Sequence, residues 1–351
     1  MSMKSKTERH MRLSLYMALL TLFTACGILG SDDDKEPLEP GPRNYEWAVD
    51  TLNSPPGGFI YDIWGSSPED VWAVAGGGLN NLWHFNGKEW SVWDERVGSA
   101  FYSIHGFAQD DIWMGGNDGQ LYHFDGQGWS QTYTFERTGL NNSRITDLQG
   151  TSTSNLYAIG TATPESGPFR VSFILHYNGR IWQELLTTDF GVQFQQLSTE
   201  ELPTIRGEKY HQASSDTLLF YQYSNENLKE ILSKTDNEVN SMSMNDIGNS
   251  LYYYIDNQIL SFKNNDFQEI LSFPNMELII RLDGRHRKDL FLHTRDKIFH
   301  YNGENKILLL EDLPRNVFRS QLFSDEVFFV IRDYENGTNL VYHGTLTQEE
   351  E

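Results

Sequence analysis

The sequence predicts an all-β chain folded as a closed ring of small antiparallel sheets. Three observations carry the prediction. One unit recurs along most of the chain, each copy alternates apolar and polar residues around a tight-turn dipeptide, and a strand lacking from the last copy stands spare ahead of the first. Composition agrees: the 351 residues include 21 Phe, 17 Tyr, 9 Trp and 29 Gly but only 11 Pro. That profile fits many short strands joined by turns rather than a disordered chain.

The unit is plainest in its first three copies. Tyr61-Asp62-Ile63-Trp64-Gly65 is followed by Asp70-Val71-Trp72-Ala73-Val74 and by Leu82-Trp83-His84-Phe85-Asn86-Gly87, with Trp90 next. Tyr102–Gly106, Asp111-Ile112-Trp113 and Leu121-Tyr122-His123-Phe124-Asp125-Gly126 repeat it up to Trp129; Thr146–Gly150, Asn155-Leu156-Tyr157 and Leu175-His176-Tyr177-Asn178-Gly179 do so up to Trp182. Fainter copies contain Leu251-Tyr252 with Ser261, Leu290-Phe291 with His300-Tyr301-Asn302-Gly303, and Val327-Phe328 with Val341-Tyr342-His343. A degenerate copy surrounds Thr204-Ile205-Arg206-Gly207 and Gln222. With positions 84, 123, 176, 222, 261, 300 and 342 taken as equivalent, the spacings are 39, 53, 46, 39, 39 and 42 residues. This is the period of a β-propeller blade, a four-stranded unit that cannot bury both faces alone and so stacks on its neighbours.

Within a copy, the first strand is cut by Gly, and an acidic or small polar residue opens the second. The third strand ends at Asn-Gly or Asp-Gly, which predicts a type I′ hairpin with positive φ at both central residues, and the fourth starts with Trp. The seventh copy runs into Gln348-Glu349-Glu350-Glu351 without a fourth strand, whereas Glu46-Trp47-Ala48-Val49 reproduces Glu89-Trp90-Ser91-Val92. Residues 45–52 are therefore expected to complete the last blade. The prediction is seven four-stranded blades over residues 44–347, closed by an N-terminal strand that removes free sheet edges, with an acidic tail at 348–351.

Ahead of the ring lies an address. Lys4, Lys6, Arg9 and Arg12 precede the 13-residue apolar run Leu13–Ala25, too short for a stable transmembrane helix and matched to a signal peptide over residues 1–25. Phe23-Thr24-Ala25-Cys26-Gly27 resembles a bacterial lipobox. Cys26 is the only cysteine, so no internal disulfide can form and thioether lipidation is the role expected of it. Residues 26–43, with Asp32-Asp33-Asp34 and Pro37, Pro40 and Pro42, read as an acidic, extended tether. The acidic run behind the cysteine also resembles the surface-export signal of Bacteroidota lipoproteins. Acyl chains, at about 0.8 kcal/mol per buried methylene, would hold the protein at the cell envelope, on the outer membrane or its exposed face.

The succession Asp-Val-Trp-Ala-Val, Leu-Trp-His-Phe-Asn-Gly and Trp resembles bacterial propeller repeats in which Asp-Val-Trp-Ala-Val-Gly precedes His-Tyr-Asp-Gly and Trp. It is similar to lipoproteins of the Bacteroidota and neighbouring phyla, a group often labelled glucosyl transferase. The resemblance implies a propeller and an envelope location. The label finds no support in these residues, which contain no nucleotide-sugar-binding βαβ pattern.

Charge narrows the partners. The chain carries 27 Lys and Arg against 49 Asp and Glu, a net of −22, and removing residues 1–25 leaves about −25. Such a surface repels phosphate backbones, which disfavours nucleic acid. No cofactor motif appears: Gly76-Gly77-Gly78 is not followed by Lys-Ser or Lys-Thr, and Asn117-Asp118-Gly119 lacks the spacing of a calcium loop. The recurrent His84, His123, His176 and His300 read as structural rather than as zinc ligands. On the inner strands the aliphatic register (Ile63, Ile104, Leu148, Ile205, Leu282) is constant and the alternate register varies. That second set, Asp62, Trp64, His105, Asp147, Arg206, Arg281 and Asp283, is expected on the channel wall as the candidate ligand-binding ring. The long insertions at 161–168 and 187–201 read as loops and are the other candidates for binding a partner. The function these features favour is a non-catalytic, lipid-anchored module binding an envelope protein or a glycan; the alternative is a propeller-type carbohydrate-active enzyme using channel carboxylates.

Overall fold

The computed structural model describes residues 38–53, 58–77, 81–93, 97–98, 100–167, 169–188, 191–211 and 215–347. The segments expected to be a signal peptide (1–25) and, up to residue 37, a tether, together with Cys26 and residues 348–351, lie outside the described residues. The described chain forms seven four-stranded antiparallel sheets. Their inner strands are Ile60–Ser67, Phe101–Ala108, Leu140–Ser152, Val192–Ser198, Met242–Ile247, Arg281–His286 and Val317–Leu322, in blades 1 to 7. Each inner strand contacts those of both neighbouring blades, and the seventh contacts the first, so the ring closes around a central channel. Tyr45–Leu52 is the outer strand of blade 7 and pairs from Tyr45 with Leu346 to Leu52 with Asn339, as the spare N-terminal strand predicts. Just before it, the Gly41 amide donates to the Lys288 carbonyl at 2.8 Å and Arg43 to Asn305 at 2.7 Å, so the end of the tether segment lies along blade 6.

The recurrent histidine is the centre of a latch. In blades 1, 2 and 6 its Nε2–H donates to the aspartate that opens the second strand: His84 to Asp70 at 2.7 Å, His123 to Asp111 at 2.8 Å and His300 to Asp289 at 2.6 Å. In blade 3 His176 donates to Asn155 at 2.8 Å, and in blade 7 His343 bonds Glu326. The seventh equivalent position is thus 343, not 342. Each imidazole also lies against the aromatic ring two residues beyond the acceptor, with centroids 4.1 Å apart for Trp72 and 4.2 Å for Trp113. The indole N–H groups of Trp72 and Trp113 donate to the same carboxylates at 3.0 and 2.9 Å. One aspartate thereby ties the second strand to the third and orients the core aromatic.

Outer tryptophans knit blade to blade. Trp129 of blade 2 meets Trp72 of blade 1 at 5.8 Å, and Trp182 of blade 3 meets Trp113 of blade 2 at 5.7 Å. Such aromatic pairs add about 0.5–1.5 kcal/mol beyond burial. Inner-strand glycines make room for close approach: a Cβ on Gly106 would stand 2.6 Å from the Trp64 ring of the preceding blade.

The Asn-Gly and Asp-Gly hairpins differ from expectation. Only the glycine has positive φ, +84° at Gly87 and +83° at Gly126, and the loop spans four residues. The residue before the glycine is a side-chain cap: Asn86 Oδ1 accepts from the Lys88 and Glu89 amides at 3.1 Å each, and Asp125, Asn178 and Asn302 do the same. Two-residue turns with both φ positive occur instead at Asn225-Glu226 and Asn264-Asn265.

Candidate functional site

Alternation on the inner strands places two rows of side chains on the channel wall. Asp62, Ser103, Asp147, Gln196, Ser243, Arg281 and Arg319 form one row, towards the mouth where the inner strands begin, here the upper mouth. Residues two further on, including Trp64, His105 and Asp283, lie towards the lower mouth. A cavity of about 340 Å³ at the lower mouth is bounded by Asp62, Trp64, His105, Asp147, Arg281 and Asp283. The structure thus brings six of the seven expected ring residues to one cavity.

Arg206 is the exception and corrects two expectations. It stands on the second strand of blade 4, Thr204–Lys209, because the inner strand of that blade is Val192–Ser198, inside a segment read as a loop. The register shift between Phe194 and Gln196, with Phe194 and Leu197 three apart in the core, recurs at Ile60/Asp62, Phe101/Ser103 and Ile145/Asp147 and does not set this strand apart. Blade 4 instead lacks the glycine that follows three residues after the shift in blades 1 to 3 and has Thr199 there, and Thr204-Ile205-Arg206-Gly207 on the next strand imitates the pattern. Arg206 nonetheless reaches the channel, at the upper mouth rather than the lower. Sequence reading also missed Asp246, Gln196, Asn245 and Arg319, whose strands lack the repeat motif; only Met242-Ser243-Met244-Asn245, with alternate residues buried, offered a pattern.

The ring carboxylates are engaged in bonds between blades. Asp62 accepts from the Ile63 amide at 3.1 Å, from the Ile104 amide of blade 2 at 3.0 Å and from Arg319 Nε of blade 7 at 3.2 Å. Asp147 accepts from its neighbour Leu148 at 2.9 Å and from Leu197 of blade 4 at 2.7 Å. Both oxygens of each carboxylate therefore hold backbone N–H groups, and each spans a blade boundary. Burial raises the Asp62 pKa despite Arg319. Burial, reinforced by the charge of Asp62, raises that of Asp147 to about 7. Asp246 is also pushed up by burial, to about 7, against the Ser198 hydroxyl that donates to it at 2.6 Å.

Asp283 is the opposite case. Burial alone would raise its pKa, but Arg281 forks onto it with two bonds of 2.8 Å, Asn245 donates at 2.7 Å and His293 Nε2 lies 2.9 Å away, so its carboxyl is held well below the usual range. Arg281 and Asp283 are a paired unit, ionised at any ordinary pH. His105 is lowered by burial to about 4, so at neutral pH it is an uncharged imidazole; its Nε2 is buried with no hydrogen-bond partner among the described residues. Among the described residues no group of three or more His, Cys, Asp or Glu is placed to hold a metal ion.

No protein-family model matches the chain, and no curated protein matches it in sequence. Its fold is similar to several solved structures. YCF48 bound to D1 peptide is 16% identical with a TM-score of 0.60, over 89% of this chain and 100% of that one. Oligogalacturonate lyase from Vibrio parahaemolyticus is 9% identical with a TM-score of 0.58, over 90% and 100%. The WD40 repeats of RRP9 are 12% identical with a TM-score of 0.53, over 88% and 100%. At such identities the likeness shows the fold alone: the chain is a seven-bladed β-propeller.

Proposed function

We propose that the chain is an envelope lipoprotein, anchored through Cys26, whose propeller recognises a protein or glycan through its channel without catalysing a reaction. The observation that carries the non-catalytic reading is the engagement of Asp62 and Asp147, both oxygens of each, in backbone bonds between blades. A carboxylate pinned by backbone N–H groups on both oxygens cannot swing toward a substrate atom as a general acid or nucleophile must. The cavity instead offers pre-organised hydrogen-bonding side chains, the makings of a recognition site. Among proteins of similar fold, YCF48 is seen bound to a D1 peptide.

One observation favours the enzyme reading. Asp147, with its pKa raised to about 7, faces the same cavity as Asp62 and the neutral His105. Carboxylates with separated pKa values are what acid–base chemistry on a glycosidic bond requires.

The test is a glycan-array and envelope pull-down screen with the full chain, repeated with His105→Gln and Asp246→Asn. Specific capture, lost in these variants and without turnover of the captured glycan, is the expected result. Turnover abolished by Asp147→Asn establishes the enzyme instead, and capture untouched by every channel variant removes the channel from the reading. For the anchor, Cys26→Ser is expected to abolish palmitate labelling and release the protein from membranes.

A further inference from the structure

The two mouths of the channel differ in their acidic residues. Asp62, Asp147, Asp246 and Asp283 line the lower one together with Arg281 and Arg319. The upper one opens into a cavity of about 450 Å³ bounded by blades 4 to 7, with Arg206, Arg281 and Arg319 on its wall and neither Asp nor Glu among its described lining residues. In a chain of net charge −22, a carboxylate-free pocket holding three guanidinium groups is a departure from the surrounding surface.

Arg281 is neutralised by Asp283, and Arg319 reaches back to Asp62 at 3.2 Å. Arg206 has neutral partners only: its Nε donates to the Met242 carbonyl at 2.8 Å and an Nη to Gln195 Oε1, and no carboxylate among the described residues lies within ion-pair distance. Burial pulls its pKa down, and the charge of nearby Glu208, whose carboxylate accepts from Gln195 at 2.6 Å, offsets that only in part. Across the channel on blade 7, Arg332 lies outside this lining, stacked 3.2 Å from the ring centroid of Phe318 on its rim. A cation such as Arg206, largely removed from water with only neutral hydrogen-bond partners, favours a bound anion.

The lining also sets the shape of that anion. Gln195, Asn240 and Asn316 add amides, and Ser241 and Ser243 add hydroxyls, around the guanidinium groups. Four blades enclose the mouth, so it takes a compact ligand and offers no sheet edge for an extended peptide to join. We infer that the upper mouth binds a carboxylate-bearing saccharide, its carboxylate forked onto Arg206 and its hydroxyls on the surrounding amides. The inference rests on the reading of the propeller as a recognition module, and within that reading names the ligand class and the mouth.

Titration calorimetry on the full chain in detergent tests it, with a uronic-acid trisaccharide, its carboxyl-reduced neutral counterpart and an acidic peptide as probes. The uronate is expected to bind at least tenfold more tightly than the neutral sugar, with an affinity that falls as salt is raised. Arg206→Gln should lose at least tenfold for the uronate and leave the neutral sugar unchanged, while Arg206→Lys, which keeps the charge and loses the fork, should lose less. Melting curves establish that each variant is folded, and Asn240→Ala supplies a second probe of the same mouth that leaves every charge in place. Equal binding of charged and neutral sugars, an Arg206→Gln variant that binds uronate like the parent, or binding of the acidic peptide alone overturns the inference. A different ligand lost on His105→Gln but not on Arg206→Gln overturns it while leaving the recognition module standing; absence of any ligand at either mouth brings down both.

Discussion

Blades 1, 2, 3, 6 and 7 and blades 4 and 5 are the same four-stranded object held together in two ways. The first group has the latch of histidine, acceptor and aromatic ring. Blades 4 and 5 have Gln222 and Ser261 where the histidine stands, and they turn from third to fourth strand through Asn225-Glu226 and Asn264-Asn265 rather than a capped glycine loop. At the channel Gln196 donates to the Met244 carbonyl at 2.5 Å and accepts from Ser243 at 2.9 Å, and Ser198 donates to Asp246 at 2.6 Å, while Phe220 packs on Tyr253 at 4.9 Å. Tryptophan pairs are the mark of the joints between blades 1, 2 and 3, and several side-chain bridges at the channel the mark of the joint between blades 4 and 5. The latch repeats because each blade needs the same internal bond, whereas the channel bridges differ because each boundary meets a different neighbour.

The largest effect should come from breaking the latch where it is most deeply buried. Asp289 is 1% exposed and holds both His300 and Arg285. Asp289→Ala leaves a guanidinium and an imidazole inside without their carboxylate and is expected to cost about 3–5 kcal/mol in chemical denaturation. The corresponding position of blade 4 is Leu202, 44% exposed, and Leu202→Ala is expected to stay within about 0.5 kcal/mol. Similar costs at the two positions would end the claim that these blades are held differently.

The latch carboxylates and two of the channel carboxylates also respond to pH with opposite sign. For Asp70 and Asp289, burial pushes the pKa up but the hydrogen bonds, to His84 and to His300 with Arg285, pull it further down. A depressed folded-state pKa gives stability that is present above the unfolded value near 4 and lost as pH falls through the folded one. Asp147 and Asp246, raised to about 7, behave in reverse: their ionisation opposes folding, so stability declines as pH rises from about 4 to 7. Asp246→Asn keeps an acceptor for Ser198 and cannot ionise. It is expected to gain on the order of 2 kcal/mol over the parent at pH 8 and nothing at pH 4, read from denaturation at the two pH values. A parallel pair of stability–pH curves would show that Asp246 does not ionise against the fold.

How much of this was legible follows from the same division. The latch and the capped loop use particular residues, so Asp70, Trp72, His84, Asn86 and Gly87 and their copies announce the blades, and Trp47 announces the closure. The channel wall was legible only where an inner strand kept its two-residue period and its glycine, which delivered Asp62, His105, Asp147 and Asp283. It failed at blade 4, where Thr199 replaces the inner-strand glycine and Gly207 completes a look-alike run one strand outward at Arg206, and at blade 5, where Asn245 and Asp246 follow no motif. The type I′ expectation failed at Asn86 because the same residue pair serves equally as a side-chain cap, a choice made by the loop length.

The smallest expected effect tests whether the channel row is a set of equivalent bridges or a set of independent ones. Ser103 occupies in blade 2 the place of Asp62 in blade 1 and Asp147 in blade 3, yet its hydroxyl is buried with no hydrogen-bond partner among the described residues. A serine side chain is too short to cross to blade 3; that boundary is held instead by the hydrogen bond between His105 and the Gly150 backbone and by the packing of Trp182 on Trp113. Ser103→Ala removes an unsatisfied group and no bridge, so it should leave stability unchanged or raise it by about 0.5 kcal/mol. A loss of 1 kcal/mol or more in thermal or chemical unfolding would mean that the hydroxyl is bonded, through water or a neighbour, and that Ser103 adds a bridge of its own at the channel.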